Sequence, residues 1–294
     1  MENKEIILEE CPMCRGTGMI MHEGGWSVQV ECADCGSHTV YVEYSNEAEK
    51  AEAEKSVAML WNIGKVIKAN IGEKKNMELK NKRIAFLGDS ITEGVGASCA
   101  ENAYWQVFAR NTGALCFGYG ISGTRIAKKI VPSSEPSFDR YFGSRLEEMI
   151  PDAEVVVVFG GTNDFGHGDA PFGTQQDRTE DTYCGALHVL MQKLINRYSE
   201  AMIVFMTPLH RLSEDNDVFN EQGVRACGNL QRYVDAIVET ATEYSIPVLD
   251  LFRTSGMQPK IPAIQERYMP DGLHPNDAGH ARLAARLEGF LRAL

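Results

Sequence analysis

Five apolar runs alternate with longer amphipathic stretches in the part of the chain that follows residue 82. The runs are RIAFLG (83–88), ALCFGYG (114–120), EVVVVFG (154–160), AMIVFM (201–206) and IPVLDL (246–251). Residues with helical spacing of apolar positions lie near 101–111, 138–150, 180–198, 221–244 and 276–293. Nearly continuous apolar strands between helices are typical of a parallel sheet covered on both faces. The pattern therefore predicts a doubly wound α/β domain with a five-stranded parallel sheet.

The first 64 residues follow a different pattern. MIMHEGGWSVQVEC (19–32) predicts two short strands joined by a glycine turn, and HTVYVEYS (38–45) continues the alternation. NEAEKAEAEKSVAMLWN (46–62) has helical spacing, and Gly64 follows it as a helix stop. Residues 65–81 are charged and weakly patterned, as in a linker. We expect a small domain over 1–64, a linker over 65–81 and a large domain over 82–294.

Two Cys-x-x-Cys pairs lie in the small domain, with the spacing Cys11-x2-Cys14-x17-Cys32-x2-Cys35. This spacing is typical of a four-cysteine zinc site, in which two tight turns supply four thiolates to a tetrahedral ion. A pair of redox-active or disulfide-bonded motifs is the alternative. A redox motif is expected near a βαβ pattern, which this segment lacks. We expect a structural zinc that supplies much of the folding energy of so small a domain.

The small domain resembles the restriction-alleviation (Lar-like) zinc-ribbon family over residues 8–64. The likeness rests on CPMC, on CADCG and on the closing helix with Ala58 and Trp61-Asn62. Residues 1–80 contain nine Lys or Arg and fourteen Asp or Glu, a net charge of 9 − 14 = −5. That charge disfavours nucleic acid as the partner of this module and favours a protein partner or a purely structural role.

The whole chain is acidic, with a formal net charge of −12 over 294 residues. Favourable contact with phosphate backbones or anionic lipids comes mainly from clustered Lys and Arg, so nucleic acid and membrane surfaces are disfavoured as partners. No apolar run approaches the roughly 20 residues that span a bilayer. The start MENKEIILEE lacks the basic and apolar regions of a secretory signal. We expect a cytoplasmic protein, and the sequence does not indicate its oligomeric state.

Polar motifs follow the predicted strands of the large domain. Gly88-Asp89-Ser90 follows the first strand, a glycine-rich segment over 118–123 ends the second, and Gly160-Gly161-Thr162-Asn163-Asp164 follows the third. Asp271-Gly272-Leu273-His274 comes after the fifth strand and just before the last helix. In doubly wound folds the reactive groups collect at the carboxyl ends of the strands. These motifs are therefore expected at one edge of the sheet.

The residue types in these motifs match what acyl transfer from an ester requires. A serine hydroxyl such as that of Ser90 becomes nucleophilic when a base accepts its proton, and His274 with Asp271 can supply the base and its orienting acid. The oxyanion that forms needs preorganised donors. The backbone N–H groups of Ser90 and Gly120 and the side-chain amide of Asn163 are suitable donors. We expect glycine at 120 because a side chain there would crowd the substrate.

GDSITEG, GYGISG, GTND and DGLHPN, in this order, resemble the four sequence blocks of the SGNH hydrolase (GDSL-type esterase/lipase) superfamily. The resemblance covers residues 82–294, and Gly118 stands where many members have Asn. It implies a flavodoxin-like five-stranded fold. It also implies Ser90 as nucleophile and as an oxyanion donor, Gly120 and Asn163 as the further donors, His274 as base and Asp271 as its orienting acid.

Two other roles for these residues stay open at this point. Ser90 can be a helix N-cap alone, a position that serine favours. Asp271 and His274 can instead ligate a catalytic metal ion. The further ligands of such a site would be His167, Asp164 or Asp169.

Other residues near the predicted edge are candidates for substrate contact. We expect such contact from Phe165, which follows the third strand, and from His210 and Arg211, which follow the fourth. Similar candidates are Arg125, Tyr268 and Met269.

The favoured function is a serine ester hydrolase that works through an acyl-enzyme and needs no cofactor for catalysis. The family resemblance favours a small-molecule or glycan ester as substrate, with a short acyl chain such as the O-acetyl groups of carbohydrates. Lysophospholipase or thioesterase activity is the alternative enzyme function. A non-catalytic binding or anti-restriction protein that uses the zinc ribbon is the alternative from another class.

Overall fold

The computed structural model describes residues 6–68, 77–215 and 228–294. The chain divides into two compact units, Met1–Asn76 and Met77–Leu294. Part of the predicted linker (69–76) and the beginning of the predicted helix at 221–227 lie outside the described residues.

The first unit contains a three-stranded antiparallel sheet in the order β1-β2-β3 and one helix. The elements are β1 Gly18–Glu23, β2 Ser27–Cys32, β3 Val42–Glu43 and α1 Glu47–Asn62. Gly24 and Gly25 both have positive φ, as the turn of a tight hairpin requires. One face of β2 contributes Val28 and Val30 to a core that α1 completes with Ala53, Val57 and Trp61.

The strand predicted over 38–45 is mostly irregular, because its backbone pairs with another segment. The N–H of Thr39 donates to the carbonyl of Val30. His38 and Ile67 exchange two backbone hydrogen bonds. Only Val42–Glu43 joins the sheet as a strand.

The second unit contains five parallel strands in the order β5-β4-β6-β7-β8. The strands are β4 Arg83–Gly88, β5 Leu115–Gly120, β6 Val155–Phe159, β7 Met202–Met206 and β8 Val248–Leu249. The helices are α2 Ser90–Glu93, α3 Tyr104–Thr112, α4 Thr162–His167, α5 Tyr183–Arg197, α6 Leu230–Glu243, α7 Leu251–Thr254, α8 Pro262–Tyr268 and α9 Asp277–Ala293. Within the described ranges, no helix combines the length and apolarity needed to cross a membrane.

The central strands bury side chains on both faces. In β4, Ile84 and Phe86 enter one apolar cluster, whereas Ala85 and Leu87 enter the cluster on the opposite face. The same alternation continues through β6 and β7. A strand order that reverses at β4 is that of flavodoxin-like folds, which place their binding sites beyond the carboxyl ends of the strands. The predicted fold class is confirmed.

The helix predicted over 138–150 is not formed. The segment instead contains three short 3₁₀ helices, Pro136–Asp139, Phe142–Ser144 and Leu146–Glu148. Gly143 weakens helix propensity at its centre. Arg145 points inward and is 2% exposed, donating to backbone carbonyls of the sheet. Arg145 is therefore a buried hydrogen-bond donor to the sheet.

The beginning of the second unit includes residues from the predicted linker. Leu79 is 1% exposed and belongs to one of the two large apolar clusters. The N–H of Met77 donates to the carbonyl of Arg292, and that of Asn81 donates to the carbonyl of Gly113. Residues 77–81 thus pack as part of the larger unit.

Candidate active site and metal centre

Ser90, His274 and Asp271 form a hydrogen-bonded chain. The Ser90 Oγ lies 3.0 Å from His274 Nε2, and His274 Nδ1 lies 2.7 Å from Asp271 Oδ2. An ionised carboxylate only accepts, so Nδ1 carries the ring proton and Nε2 accepts from the serine hydroxyl. Ser90 and His274 are 184 residues apart in sequence.

The Asp271 carboxylate is held on both oxygens. Its Oδ1 accepts the N–H groups of Leu273 at 2.8 Å and of His274 at 2.7 Å, while Oδ2 accepts from the His274 ring. Partial burial acts to raise the pKa of Asp271, but these three hydrogen bonds outweigh it and lower the pKa. Asp271 is therefore ionised near neutral pH and fixes the orientation of the imidazole.

Asp89, rather than Ser90, caps the helix that starts here. Asp89 is the N-cap of α2, and its Oδ1 accepts the N–H of Ile91 at 3.0 Å. Burial raises the pKa of Asp89 to about 7. Ser90 is the first residue of α2 and is 7% exposed, with its hydroxyl directed to His274. The geometry does not support a role for Ser90 as a cap alone.

Gly120 ends β5 beside the end of β4, where it pairs with Gly88. A Cβ at position 120 would overlap the backbone of Thr92 and Glu93 in α2. Glycine at position 120 is thus explained by the close approach of β5 to the helix that carries Ser90. This is a different reason from the expected one, which was room for the substrate.

Asn163 is the second residue of α4 and is 6% exposed. Its Nδ2 donates to the carbonyl of Thr124 at 2.9 Å, and its Oδ1 lies 3.2 Å from His167 Nε2. An amide nitrogen carries two protons, so one remains after the bond to Thr124. The side chain is oriented at both of its polar atoms.

Arg145 is a site-building residue that the sequence motifs did not reveal. Its guanidinium donates to the carbonyls of Tyr119 at 2.8 Å and Gly88 at 3.0 Å, and to the hydroxyl of Thr124 at 3.1 Å. Burial lowers its pKa to about 10, so it remains charged at neutral pH. It connects the ends of β4 and β5 with the loop that orients Asn163.

Phe165 and His210 have packing roles. Phe165 is fully buried in the core, with its ring 5.7 Å from that of Tyr233, so its burial does not support the expected contact with substrate. His210 bonds Glu214 at 2.8 Å through Nδ1, and its ring packs 3.8 Å from that of Phe252. The environment of His210 likewise does not support that role.

Arg211 contacts the element that carries Asn163. Its guanidinium donates to both the carbonyl and the hydroxyl of Thr162, each at 3.2 Å, and lies 5.6 Å from the centre of the Phe165 ring. Burial lowers its pKa, while Asp271 and Asp89 favour its charged form. Arg211 therefore places positive charge near the carboxylates of the candidate site.

The residues considered for a catalytic metal ion have other partners. Asp164 accepts the N–H groups of Ile126 and Ala127, and Asp169 accepts those of Ile130 and Val131. Both ring nitrogens of His167 lie within hydrogen-bond distance of other side chains. In the described part of the chain, the only cluster of three or more suitably close His, Cys, Asp or Glu ligands is the N-terminal cysteine group. The structure does not assemble the alternative ligand set around Asp271 and His274.

Cys11, Cys14, Cys32 and Cys35 form a compact group of free thiols in the first unit, with all four sulfurs within 4.8 Å of one another. The Cys11–Cys35 and Cys14–Cys32 sulfurs are 3.7 and 3.5 Å apart. Tetrahedral zinc with Zn–S bonds of about 2.3 Å requires sulfur separations of about 3.8 Å. The donor set and its dimensions fit a structural zinc ion.

The knuckle turns around these cysteines also suit thiolates. The N–H groups of Met13 and Gly16 point at Cys11 and Cys14 Sγ, each at 3.4 Å. Hydrogen bonds from Ser37 lower the pKa of Cys35 to about 6. The deprotonated form that binds a metal ion is therefore favoured at Cys35, whereas the pKa of Cys14 is raised.

Comparison with known proteins identifies the family to which the second unit is similar. The model of the GDSL-like lipase/acylhydrolase family matches residues 86–282. A solved structure from Lactobacillus plantarum is 32% identical, covers 72% of this chain and 97% of its own, and has a TM-score of 0.61. Another solved structure is 33% identical over 74% of this chain and 99% of its own, with a TM-score of 0.63. No protein of curated function matches the sequence.

A more distant neighbour agrees at the level of the fold. The structure of a GDSL-like lipase from Bacteroides ovatus is 18% identical, covers 72% of this chain and 99% of its own, and has a TM-score of 0.50. The family match spans about two thirds of the sequence, from the strand before Ser90 to α9. The chain belongs to the GDSL-like lipase/acylhydrolase family, and it is a carboxylic ester hydrolase.

Proposed function

We propose that the second unit is a serine ester hydrolase in which Ser90 is the nucleophile, His274 the general base and Asp271 the residue that orients and stabilises the imidazolium. The observation that carries this proposal is the continuous hydrogen-bonded chain from Ser90 Oγ through His274 to Asp271, with bonds of 3.0 and 2.7 Å. A serine used only for capping would not be paired with an oriented imidazole.

The reaction takes place in two halves. In acylation, a bond forms between Ser90 Oγ and the ester carbonyl carbon while His274 Nε2 takes the hydroxyl proton. The tetrahedral intermediate collapses as His274 returns that proton to the departing alcohol. In deacylation, His274 activates a water molecule that attacks the acyl-enzyme, which releases the acid and regenerates Ser90.

The oxyanion of each tetrahedral intermediate is assigned three donors. These are the N–H of Ser90 at the start of α2, the N–H of Gly120 and the side-chain amide of Asn163. The start of a helix leaves its first N–H groups without intrahelical acceptors, which suits the Ser90 N–H to this role. The bond from Asn163 to Thr124 holds the amide in place before the charge develops, so little reorganisation is required in the transition state.

For the substrate, we propose short-chain acyl esters, including O-acetyl groups of carbohydrates. The support is the openness of the general-base side of the site, because the side chains of Asp271 and His274 are 54% and 20% exposed. A hydrated alcohol such as a sugar can approach a surface of this kind without losing most of its water contacts. Arg211, whose charged form is favoured by nearby Asp271, adds a guanidinium rather than an apolar side chain to this region.

The four cysteines would hold zinc as a structural ion. When bound, the ion supplies cross-links between the two knuckles and takes no part in ester hydrolysis. Loss of metal after replacement of all four cysteines would support this assignment, and full retention of metal would overturn it.

The test of the hydrolase assignment is the rate of hydrolysis of p-nitrophenyl acetate and p-nitrophenyl butyrate. We expect turnover by the wild type and at least about a thousandfold lower kcat for Ser90→Ala. Ser56→Ala, in α1 of the other unit, is the matched control and should keep the wild-type rate. Equal rates for the wild type and Ser90→Ala would remove Ser90 as the nucleophile.

A further inference from the structure

A series of hydrogen bonds leads to Asn163 from residues outside the family motifs. Arg125 Nη1 lies 3.3 Å from His167 Nδ1, and His167 Nε2 lies 3.2 Å from Asn163 Oδ1. Asn163 Nδ2 in turn donates to the carbonyl of Thr124 at 2.9 Å. His167 is four residues after Asn163 in α4, so the two side chains lie on one face of the helix.

The chemistry of the two end groups determines the direction of every bond in this series. A guanidinium can only donate, so the Nδ1 of His167 is the acceptor for Arg125. A backbone carbonyl can only accept, so Asn163 presents its nitrogen to Thr124 and its oxygen to His167. The Nε2 of His167 must then carry a proton and donate it to Asn163 Oδ1. One neutral tautomer of the imidazole satisfies all three bonds.

We propose that His167, oriented by Arg125, is a positioning residue that fixes the side-chain amide of Asn163 for oxyanion stabilisation. This inference rests on the proposed role of Asn163 as an oxyanion donor. With Oδ1 held by His167 and one amide proton held by Thr124, the plane of the amide is set. The second amide proton then has a single direction, which is the direction available to the ester oxygen.

Two further features of the surroundings suit this role. Burial lowers the pKa of His167 to about 4, with Arg125 and Arg211 acting in the same direction, so the ring stays neutral at physiological pH. A neutral ring keeps the acceptor that Arg125 requires. Donation into Asn163 Oδ1 also polarises the amide and strengthens its remaining N–H as a donor, as expected for a cooperative chain of hydrogen bonds.

The kinetic test compares His167→Leu with His167→Gln, because a glutamine amide, like the neutral imidazole, can both donate and accept a hydrogen bond. We expect His167→Leu to lower kcat on p-nitrophenyl acetate by about 10-fold to 100-fold with KM changed by less than about twofold. His167→Gln should recover kcat to within about threefold of the wild type. His188→Leu is the control, a fully buried histidine bonded to Gln175 and Tyr244, and should alter stability more than kcat.

A double-mutant cycle separates positioning of Asn163 from a general structural effect. In an Asn163→Ala background, His167→Leu should lower kcat by no more than about twofold, because the group it positions is already absent. A full additional loss in that background would overturn the inference. So would an unchanged kcat in the His167→Leu single variant.

A spectroscopic measurement tests the inference without turnover. In Ser90→Ala, the ¹⁵N signals of the His167 ring should have the pattern of the Nε2–H tautomer and remain unchanged from pH 8 to pH 5. An Nδ1–H tautomer, or titration near 6.5, would overturn the inference whether or not the enzyme hydrolyses esters. Failure of the proposed function has a different signature, equal hydrolysis by the wild type and Ser90→Ala.

Discussion

Each of the two units of this chain is stabilised by different interactions. Among the described residues, the first unit has one small buried cluster of Cys11, Val28, Val30, Cys32, Ala53, Val57 and Trp61. Two of its members are candidate metal ligands. The second unit has a large apolar cluster on each face of its sheet. A small core buries too little surface to offset chain entropy, whereas two layers on a five-stranded sheet bury enough.

This difference determines what each unit should tolerate. With the proposed zinc bound, the first unit would couple its folding to the metal ion, so changes in its stability should be measurable as changes in metal affinity. The second unit draws its stability from apolar burial and uses polar side chains to place a few reactive groups. Changes to one unit should therefore leave the characteristic property of the other intact.

Metal removal should produce the largest effect. A structural zinc contributes on the order of 10 kcal/mol to the folding of small ribbons, so chelation or Cys11→Ser should unfold the first unit. Amide hydrogen exchange should rise across β1, β2 and α1, while kcat for p-nitrophenyl acetate stays within about twofold of the wild type. A fully protected first unit without metal, or a parallel loss of hydrolysis, would contradict this separation.

A cavity in the larger core should have the next largest effect. Leu287 in α9 is fully buried, so Leu287→Ala should lower the free energy of unfolding of the second unit by about 3 kcal/mol. Leu294, at the end of the same helix, is 48% exposed. Leu294→Ala should change the free energy of unfolding by less than about 0.5 kcal/mol. Urea denaturation measures both, with metal content expected to be unchanged. Similar losses for the two variants would argue against the assigned core.

A buried carboxylate should make the stability of the second unit depend on pH. Burial acts to raise the pKa of Glu214, but hydrogen bonds from His210, Lys260, Gln258 and the N–H of Arg211 lower it from 4.5 to about 2. A carboxyl group whose pKa is lower in the folded than in the unfolded state stabilises the fold at pH values above its unfolded pKa. That stabilisation is lost as the pH falls from about 4.5 to about 2.

Glu214→Gln should therefore lower the free energy of unfolding by about 2 to 3 kcal/mol at pH 7, and by much less near pH 2. Denaturant titrations at several pH values check this difference. Glu266 is exposed, and Glu266→Gln is the control that should show no such pH dependence. A Glu214→Gln penalty that stays constant from pH 7 to pH 2 would contradict the assigned ion pairs.

Loss of a helix cap should have the smallest effect, with a different readout in each unit. The side chain of Asn46 accepts hydrogen bonds from the N–H groups of Ala48 and Glu49 at the start of α1. Asn46→Ala should therefore lower the free energy of unfolding of the first unit by about 1 kcal/mol. Because the proposed zinc site would couple metal binding to folding in this unit, the apparent Kd for zinc should rise about fivefold. Asn276 caps α9 in the second unit, and Asn276→Ala should leave zinc affinity unchanged. Equal zinc affinities for both variants would argue against coupling.

The sheet could be predicted closely from the sequence because continuous apolar runs leave few alternatives. The strand predicted over 83–88 is observed with those bounds, and those predicted at 114–120, 154–160 and 201–206 begin one residue later. The segment over 138–150 was predicted incorrectly, because an apolar pattern at helical spacing does not reveal that Arg145 turns inward to bond carbonyls of the sheet.

The residues of the candidate site were harder to predict from the sequence than the strands of the sheet. The structure brings together Ser90, His274 and Asp271, whose motifs follow strands or precede a helix. The packing of Phe165 and His210 does not support the expected contact with substrate, because proximity to a strand end does not say whether a side chain points to solvent or to the core. The spacing of four residues between Asn163 and His167 was a usable signal, although the sequence pattern predicted no helix where α4 lies. The positioning role proposed for His167 rests on its contacts with Arg125 and Asn163, which only the structure shows.

The most direct test of the central claim is covalent modification of Ser90 by a fluorophosphonate, located by peptide mass spectrometry. We expect modification at Ser90 in the wild type and at least about a hundredfold slower modification in His274→Ala, which keeps the serine but lacks the base. Modification of Ser90 at equal rates in the two proteins, or none at Ser90 in the wild type, would contradict the assignment of Ser90 and His274 as nucleophile and base.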